Sequence, residues 1–263
     1  MQIIRVKLIN SMGKTLGCEK APIEVLKEFK NIKLSERGKE VEFNSLNLEE
    51  IHVNLNNLEE ANYLIFENAK EAFEKNFKTF FIGGDHSISF SIGKAFNKVQ
   101  ENPLLIIFDA HADCVQGIKN PTNEEWLRAL IENDFDGRKI ILISARRILP
   151  EEIKFIKEKE ITLISMDVLQ EDLSGVCDLI MERARSSGGF YVSIDIDSVD
   201  SAFAPGVACP EPGGMSSRDL IYFVKRLSLL KNFRGADIVE INPDKDINKI
   251  TIKLGAKLLA EMI

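Results

Sequence analysis

Short apolar runs alternate with amphipathic segments along the chain, and this alternation restricts the fold more than any other feature. Runs rich in Ile, Leu, Phe and Val, with the length of buried strands, lie at residues 79–82, 104–108, 140–143, 190–194 and 238–241. Segments with helical periodicity flank them, at about residues 57–76, 87–99, 122–133, 150–160, 174–187, 216–230 and 247–263. The pattern predicts an α/β fold of three layers, with a mostly parallel sheet between helices on both faces.

The chain gives no sign of a boundary between domains. Its 263 residues are 44% hydrophobic and 29% charged, which is typical of a soluble globular protein. No internal repeat, low-complexity tract or Pro/Gly/Ser-rich linker divides it. We therefore expect a single domain over residues 1–263.

Charge and cysteine content indicate the kind of partner and the compartment. The net charge is −7, with basic residues scattered among acidic ones, which argues against nucleic acid as a partner. No apolar run reaches the roughly 18 residues of a membrane span, and the N-terminus lacks a signal-peptide pattern. Four cysteines are widely spaced, as expected for free thiols. We expect a cytoplasmic protein that acts on a small molecule.

Polar motifs follow three of the apolar runs. They are Gly-Gly-Asp-His-Ser at residues 83–87, Asp-Ala-His-Ala-Asp at 109–113 and Asp-Ile-Asp at 195–197. The carboxyl ends of parallel strands meet at one edge of a sheet, where ligands bind. Residues two apart in an extended chain point to the same side, so the acidic and histidine side chains of these motifs are expected to face one cleft.

Metal binding is the chemistry that best fits these motifs. Carboxylates crowded into one cleft repel each other unless positive charge is supplied, and no cluster of Lys or Arg lies near them in sequence. An isolated Asp-x-Asp is usually a turn or a helix cap, and a lone histidine is often a hydrogen-bonded core residue, but the coincidence at three strand ends favours ligands. Imidazoles with several carboxylates suit Mn²⁺ better than Fe, Co, Ni or Zn. The predicted metal ligands are His86, Asp109, His111, Asp113, Asp195 and Asp197.

The same motifs resemble those of the ureohydrolase family, which includes arginase, agmatinase and formimidoylglutamase. The resemblance also covers Ser-Ile-Asp-Ile-Asp-Ser-Val-Asp at residues 193–200, Ala-Pro-Gly at 204–206 and Pro-Gly-Gly at 212–214, in the family's order. It implies an arginase-like fold, a homo-oligomer (trimer or hexamer) and two Mn²⁺ ions per chain. It places one ion on His86, Asp109, Asp113 and Asp195, and the other on Asp109, His111, Asp195 and Asp197.

The resemblance also implies an activity. It is urea-releasing hydrolysis of a guanidino or amidino C–N bond, of the agmatinase or arginase type, through attack by a hydroxide that bridges the metals. Glu240 matches the family carboxylate that pairs with the substrate guanidinium. Alternatively, Glu240 is a residue at the end of a strand that forms a surface salt bridge. Asp113 is close enough to the hydroxide to accept a proton, which makes Asp113 and Glu240 the predicted catalytic residues.

The sequence departs from the family pattern where many members carry a proton-shuttling histidine. Asn123 is the aligned residue here and is a predicted substrate contact, although an amide does not exchange a proton at neutral pH. One alternative is therefore a formimidoylglutamase-type amidine hydrolase, and another is a metal-binding family member with little catalytic activity. A one-zinc deacetylase of similar fold is a third, but it does not need the second set of ligands.

Other residues near the motifs have more than one interpretation. Cys114 and Cys209 are metal ligands, redox-sensitive thiols or small buried hydrophobic residues, the last being the commonest case. Arg146 and Arg147 either hold an acidic substrate or are surface charges. Trp126, like Phe135, either forms a wall of the pocket or packs in the core, and core packing is favoured for both.

Overall fold

The computed structural model describes residues 1–11, 13–117 and 119–263. Within them, eight strands form one sheet in the order β2-β1-β3-β8-β7-β4-β5-β6, and every described pairing of neighbours is parallel. The strands are β1 (Gln2–Val6), β2 (Asn47–Ile51), β3 (Thr79–Ile82), β4 (Pro103–Phe108), β5 (Ile140–Ala145), β6 (Thr162–Ser165), β7 (Gly189–Asp195) and β8 (Phe233–Val239).

Helices connect the strands and cover both faces of the sheet. They are α1 (Ala21–Phe29), α2 (Leu58–Lys75), α3 (Ile88–Val99), α4 (Trp126–Glu132), α5 (Pro150–Glu158), α6 (Met166–Glu171), α7 (Leu173–Ser186), α8 (Ser217–Leu227) and α9 (Ile250–Met262). Among the described residues, no helix combines the length and the apolar character needed to cross a membrane.

Two hydrophobic cores lie on opposite faces of the sheet, so the three-layer α/β prediction is confirmed. Along β4, Ile106 and Phe108 belong to the core that includes residues of α1, α7, α8 and α9. Leu105 and Ile107 belong to the other core, with residues of α2, α3, α4 and α5. Alternate side chains of an extended strand point to opposite faces, so a strand covered on both sides is apolar throughout.

Several elements differ from the predicted ones. The strands β1, β2 and β6 and the helices α1 and α6 were not predicted. β2 is an edge strand whose side chains are mostly exposed, so it lacks the apolar run of an interior strand. The prediction for residues 238–241 was wrong at both ends, because β8 begins at Phe233 and ends at Val239. The helix predicted from residue 122 begins at Trp126.

The centre of the sheet brings the predicted site residues together. β3, β8, β7 and β4 are consecutive neighbours in the sheet. His86 follows β3, Glu240 follows β8, Asp195 ends β7 and Asp109 follows β4. Because these strands are parallel, their carboxyl ends lie at one edge of the sheet, where ligands bind to folds of this class.

Candidate metal centre

The loop after β3 places His86 at the centre of this edge. Gly84 packs so closely against the chain after β1 that a Cβ atom on it would lie 2.0 Å from the Leu8 carbonyl oxygen. The Asp85 amide donates to the same oxygen at 3.1 Å. The Asp85 carboxylate in turn accepts from the Asn10 amide and the Thr15 hydroxyl. His86 is thus held on a loop that is bonded on both sides, and its side chain is fully buried.

The segment after β4 turns sharply, so it is not the extended chain that the spacing argument assumed. The His111 amide donates to Oδ1 of Asp109 at 2.7 Å, which is a local side-chain turn. Asp113 has a φ of 49°, in the left-handed region. Asp109, His111 and Asp113 still reach the site, but through a turn.

Asp195 and Asp197 also reach the site through a turn. Asp195 ends β7, and residues 196–198 form one turn of 3₁₀-helix. Oδ1 of Asp195 accepts from the Asp197 amide at 2.8 Å, and Oδ1 of Asp197 accepts from the Ala110 amide at 3.1 Å. The second bond joins this turn to the segment after β4. Each carboxylate keeps its Oδ2 for other contacts.

His86 forms the first of two groups of potential ligands. Its Nδ1 lies 3.1 Å from Oδ2 of Asp109, 3.1 Å from Oδ2 of Asp113 and 3.2 Å from Oδ2 of Asp195. The ligand atoms of His86, Asp109 and Asp195 all lie within 4.8 Å of one another. This group has the size expected of atoms that surround one cation.

The opposite edge of the imidazole shows which nitrogen carries the proton. Nε2 of His86 lies 3.0 Å from the Ser193 hydroxyl, which donates to Oδ1 of Asp237 at 2.7 Å. Because the hydroxyl proton is used on Asp237, Ser193 accepts from Nε2–H. In the neutral imidazole, Nδ1 is then the lone-pair nitrogen, and it points at the carboxylates, as a metal ligand does.

His111 forms the second group. Its Nδ1 lies 3.0 Å from Oδ2 of Asp197 and 3.6 Å from Oδ1 of Asp109. The ligand atoms of Asp109, His111 and Asp197 lie within 4.8 Å of one another. Asp109 therefore belongs to both groups, one oxygen facing each, which is the arrangement of a bridging carboxylate.

The electrostatics of the cluster call for added positive charge. In the described residues, no Lys or Arg side chain pairs with Asp109, Asp113, Asp195 or Asp197. Burial, with the charge of Asp109, raises the pKa of Asp113 to about 7. Burial, with the charges of Asp197 and Asp109, raises the pKa of Asp195 well above its ordinary value. Against the effect of its burial, the neighbouring imidazoles of His111 and His86 instead lower the pKa of Asp109. The shifts of Asp113 and Asp195 show that adjacent buried carboxylates favour the neutral form where positive charge is insufficient.

The pKa values of the two histidines also rise, and for an imidazole this favours the charged form. Burial acts to lower their pKa values, but the surrounding carboxylates outweigh it. They raise the pKa of His86 well above 6.5 and that of His111 to about 12. Moreover, Nδ1 of His86 and Oδ2 of Asp109 have no partner in hydrogen-bond geometry among the described residues, although they lie 3.1 Å apart. Two ligand atoms that converge without bonding each other fit a divalent cation bound between them in the first group.

A pocket of about 350 Å³ opens from the cluster toward solvent. Glu240 lies at its inner end and is almost fully buried, with Oε1 accepting from the His86 amide at 2.9 Å. Burial, with the charge of Asp85, raises the pKa of Glu240 well above its ordinary value. The pocket is lined by Lys14, His111, Asp113, Val115, Asn123, Glu124, Arg147, Leu149, Glu152, Asp195, Asp197, Cys209 and Glu240.

Comparison with known families agrees with this geometry. Residues 3–263 match the sequence profile of the Arginase family. The chain belongs to the arginase family. It is 32% identical to mitochondrial arginase 1 of Arabidopsis thaliana over 194 residues, 72% of this chain and 55% of that protein. It is 34% identical to guanidinopropionase of Pseudomonas aeruginosa over 191 residues, 69% of this chain and 58% of that protein.

The fold is also that of known family structures. Formimidoylglutamase from Bacillus subtilis superposes with a TM-score of 0.91 over 99% of this chain and 85% of that one, at 23% identity. The matches to the two curated relatives span only a little more than half of their length. Membership of the arginase family and the arginase-like fold are thus established together, and the predicted fold class is confirmed.

The structure resolves the open interpretations of Trp126 and Phe135. Trp126 is fully buried, and its Nε1 donates to Oδ2 of Asp113 at 2.8 Å. Its ring lies 4.5 Å from the His86 ring, centre to centre. Trp126 belongs to the hydrophobic core and is not among the residues that line the pocket, so the favoured interpretation, core packing, is confirmed for it, although its indole also contacts a predicted ligand. Phe135 packs in the same core.

Cys114 and Cys209, for which the sequence left several interpretations, lie in different surroundings. Cys114 is fully buried in the hydrophobic core, so it is a packing residue. Cys209 is partly exposed and lines the pocket. All four cysteines are free thiols. Cys18, which no motif marked, lies with its Sγ 4.0 Å from Oε2 of Glu240.

The two arginines after β5 have different roles. Arg146 is partly buried and donates to the backbone carbonyls of Asp197, Glu211 and Pro212. These hydrogen bonds hold its guanidinium against the loop, so it does not face the pocket. Arg147 lines the pocket, as do Lys14 and Glu152, which sequence patterns did not single out.

Proposed function

We propose that this chain is a binuclear-metal hydrolase that cleaves the C–N bond of a guanidino or amidino compound. The observation that carries the proposal is the pair of ligand groups that share Asp109, at the inner end of a pocket that also contains Glu240. The relatives named arginase and guanidinopropionase support the reaction class. The proposed metal is manganese, because an oxygen-rich set with two imidazoles suits it.

The proposed ligands are His86, Asp109, His111, Asp113, Asp195 and Asp197. When bound there, two divalent cations would lower the pKa of a water molecule so that hydroxide is available near neutral pH. Ser193 would keep the Nδ1 lone pair of His86 free by accepting from Nε2. Asp195 is within the first group, and its role as a second bridge between the ions stays a prediction.

Glu240 is the proposed binding residue for the planar cation. Its Oε1 is held by the His86 amide, which fixes the carboxylate plane relative to the ligand cluster. A guanidinium that faces the two oxygens would form parallel charge-assisted hydrogen bonds. The positive charge of the substrate would also favour the ionised form of this buried carboxylate. Glu240 would therefore place the reacting carbon above the metal-binding side chains.

Asn123 is the proposed contact for a substrate nitrogen. It lines the pocket, and its Oδ1 is buried without a hydrogen-bond partner among the described residues. A buried amide oxygen without a partner costs free energy, which an N–H group of the substrate would recover. Asn123 can hold the leaving nitrogen but cannot protonate it. Asp113 is the proposed proton carrier, since it lines the pocket and borders the ligand groups.

The test is release of urea by protein loaded with Mn²⁺. Guanidinobutyrate, agmatine and arginine would be supplied separately, and release of formamide from formimidoylglutamate would be followed in parallel. Turnover that requires metal and disappears in Asp109→Asn supports the proposal. Two bound metals with no turnover on any of these compounds would instead favour a metal-binding family member without catalytic activity.

A further inference from the structure

The outer end of the pocket carries two cationic side chains, each with one acidic partner. Nζ of Lys14 lies 2.5 Å from Oε1 of Glu124, and Nη1 of Arg147 lies 3.1 Å from Oε2 of Glu211. Lys14, Arg147 and Glu124 line the pocket. Lys14 and Arg147 make no other side-chain hydrogen bond to the residues that the structure describes. Both cations therefore keep donors that face the pocket or its mouth.

The backbone of Arg147 is fixed beside the ligand cluster. The amides of Arg146 and Arg147 both donate to the Ala110 carbonyl, at 2.9 Å and 3.0 Å, and Ala110 lies between Asp109 and His111. The Arg146 guanidinium also holds the carbonyl of Glu211, the partner of Arg147. The position of Arg147 relative to the metal ligands is thus set by backbone bonds, although its side chain is exposed.

The acidic groups at the outer end are already engaged. Glu152 is buried, and its two oxygens accept from the amides of Cys114 and Leu149. Glu124 is paired with Lys14. An incoming ammonium group would meet Lys14 and Arg147, and Glu124 would have to leave or share Lys14 to bind it. An incoming carboxylate would meet two cations instead.

We propose that the substrate of this pocket carries a carboxylate at the end opposite its guanidino or amidino group, and that Arg147 and Lys14 bind it. This inference rests on the proposed function. Glu240 binds the planar cation at the inner end, Val115 and Leu149 contact the connecting methylene groups, and the two cations bind the anion at the outer end. The substrate class is a guanidino or amidino acid, and compounds that end in an amine bind more weakly.

The existing ion pairs do not oppose this role. Exposed ion pairs contribute only about 0–1 kcal/mol to stability, so Lys14 and Arg147 can share or exchange their acidic partners at little cost. A carboxylate bound to a guanidinium gains charge-assisted hydrogen bonds with defined geometry. An ammonium at the same place would be repelled by both cations.

The test compares three ligands of similar length that differ only at the far end. They are 4-guanidinobutyrate with a carboxylate, agmatine with an amine and butylguanidine with a methyl group. Protein loaded with Mn²⁺ would be assayed for urea release, and the affinity for each ligand would be measured by isothermal titration calorimetry. We expect 4-guanidinobutyrate to exceed the other two in kcat/KM and in affinity by about ten-fold or more, as for hydrogen bonds to charged groups.

Two variants test the residues directly. Arg147→Gln and Lys14→Met should each reduce the advantage of 4-guanidinobutyrate, chiefly through KM, and should leave butylguanidine within about two-fold of the unmodified protein. Arg185→Gln is the matched control. Arg185 is an exposed arginine on α7 that is paired with Glu182. Its replacement should leave kcat/KM and affinity unchanged for all three ligands.

The outcomes separate this inference from the proposed function. If urea is released but agmatine or butylguanidine is used as well as 4-guanidinobutyrate, the carboxylate inference is wrong and the hydrolase proposal stands. A preference for 4-guanidinobutyrate that survives in both variants also overturns the roles of Arg147 and Lys14. If none of these ligands is cleaved and arginine and formimidoylglutamate are not cleaved either, the hydrolase proposal fails, and the calorimetric affinities in the same variants still decide the carboxylate inference.

Discussion

Trp126 donates from its indole Nε1 to Oδ2 of Asp113, at 2.8 Å, and this same oxygen lies 3.1 Å from Nδ1 of His86. The indole ring also lies against the His86 imidazole, with 4.5 Å between the ring centres. One side chain from the first turn of α4 thus orients two predicted ligands that follow different strands. Outer hydrogen bonds of this kind fix the direction of ligand lone pairs.

Replacing Trp126 with Phe should therefore weaken metal binding while it keeps an aromatic ring in the core. We expect Mn²⁺ affinity to fall by about 10- to 100-fold, as for other outer-shell changes. The measurement is calorimetric titration of metal-free protein with Mn²⁺. Phe135→Leu is the control, because Phe135 packs in the same core and its loss should reduce stability alone. Equal metal affinity in Trp126→Phe and the unmodified protein would contradict the role of the indole.

The sequence predicted the residues of the centre better than the way in which they meet. The apolar runs of β3, β4 and β7 are buried on both faces, so their polar endings stood out and their parallel alignment placed them at one edge. The expected extended spacing of Asp195 and Asp197 was wrong, because a turn of 3₁₀-helix joins them. Short-range hydrogen bonds of aspartate to its own backbone decide such turns, and periodicity does not record them.

Contacts between segments that are distant in sequence could not be predicted from apolar runs and periodicity. Lys14 and Glu124 are 110 positions apart, yet they pair at the mouth of the pocket. Ser193 and His86 are 107 positions apart and share a hydrogen bond. Arg146 and Arg147 are adjacent and chemically identical, but only Arg147 lines the pocket. Which of them does so depends on the loop at residues 211–212, whose carbonyls hold the Arg146 guanidinium.

Variants at Asp109 and Glu240 should distinguish metal binding from substrate binding. Asp109→Asn should lose both metals, since Asp109 belongs to both ligand groups and an amide is a much poorer ligand. Glu240→Gln should keep both metals and raise KM at least about ten-fold, because a charge-assisted pair is lost. Metal content after desalting, measured by atomic absorption, and urea release give the two readouts. Similar metal loss in both variants would refute this division of roles.

Gly84 should be indispensable to the loop that carries His86. A methyl group there would lie 2.0 Å from the Leu8 carbonyl oxygen, so the backbone must shift. We expect Gly84→Ala to reduce the free energy of unfolding by about 3 kcal/mol, as for severe overpacking. Gly93→Ala on α3 is the matched control, since its methyl group meets the end of the Leu130 side chain, which can move. Chemical denaturation of the two variants compares them, and equal losses would contradict the proposed constraint.

Glu36 should make the packing of the last two helices sensitive to acid. Its carboxylate pairs with Arg218 and Lys225 on α8 and with Lys257 on α9. Hydrogen bonds from Arg218 and Lys225 lower its pKa from 4.5 to about 2 in the folded protein. A lowered carboxylate pKa stabilises the folded state above pH 4.5, and this stabilisation is lost as the pH falls toward 2.

Because Glu36 is partly exposed, we expect its contribution near pH 7 to be about 1–2 kcal/mol after solvent screening. Denaturation of Glu36→Gln and the unmodified protein, measured at several pH values, should show this difference at pH 7 and its decrease below pH 4.5. Glu182→Gln removes the same charge from an exposed pair on α7 and serves as the control. A difference between Glu36→Gln and the unmodified protein that stays constant down to pH 2 would mean that Glu36 stabilises the helices through packing and not through its charge.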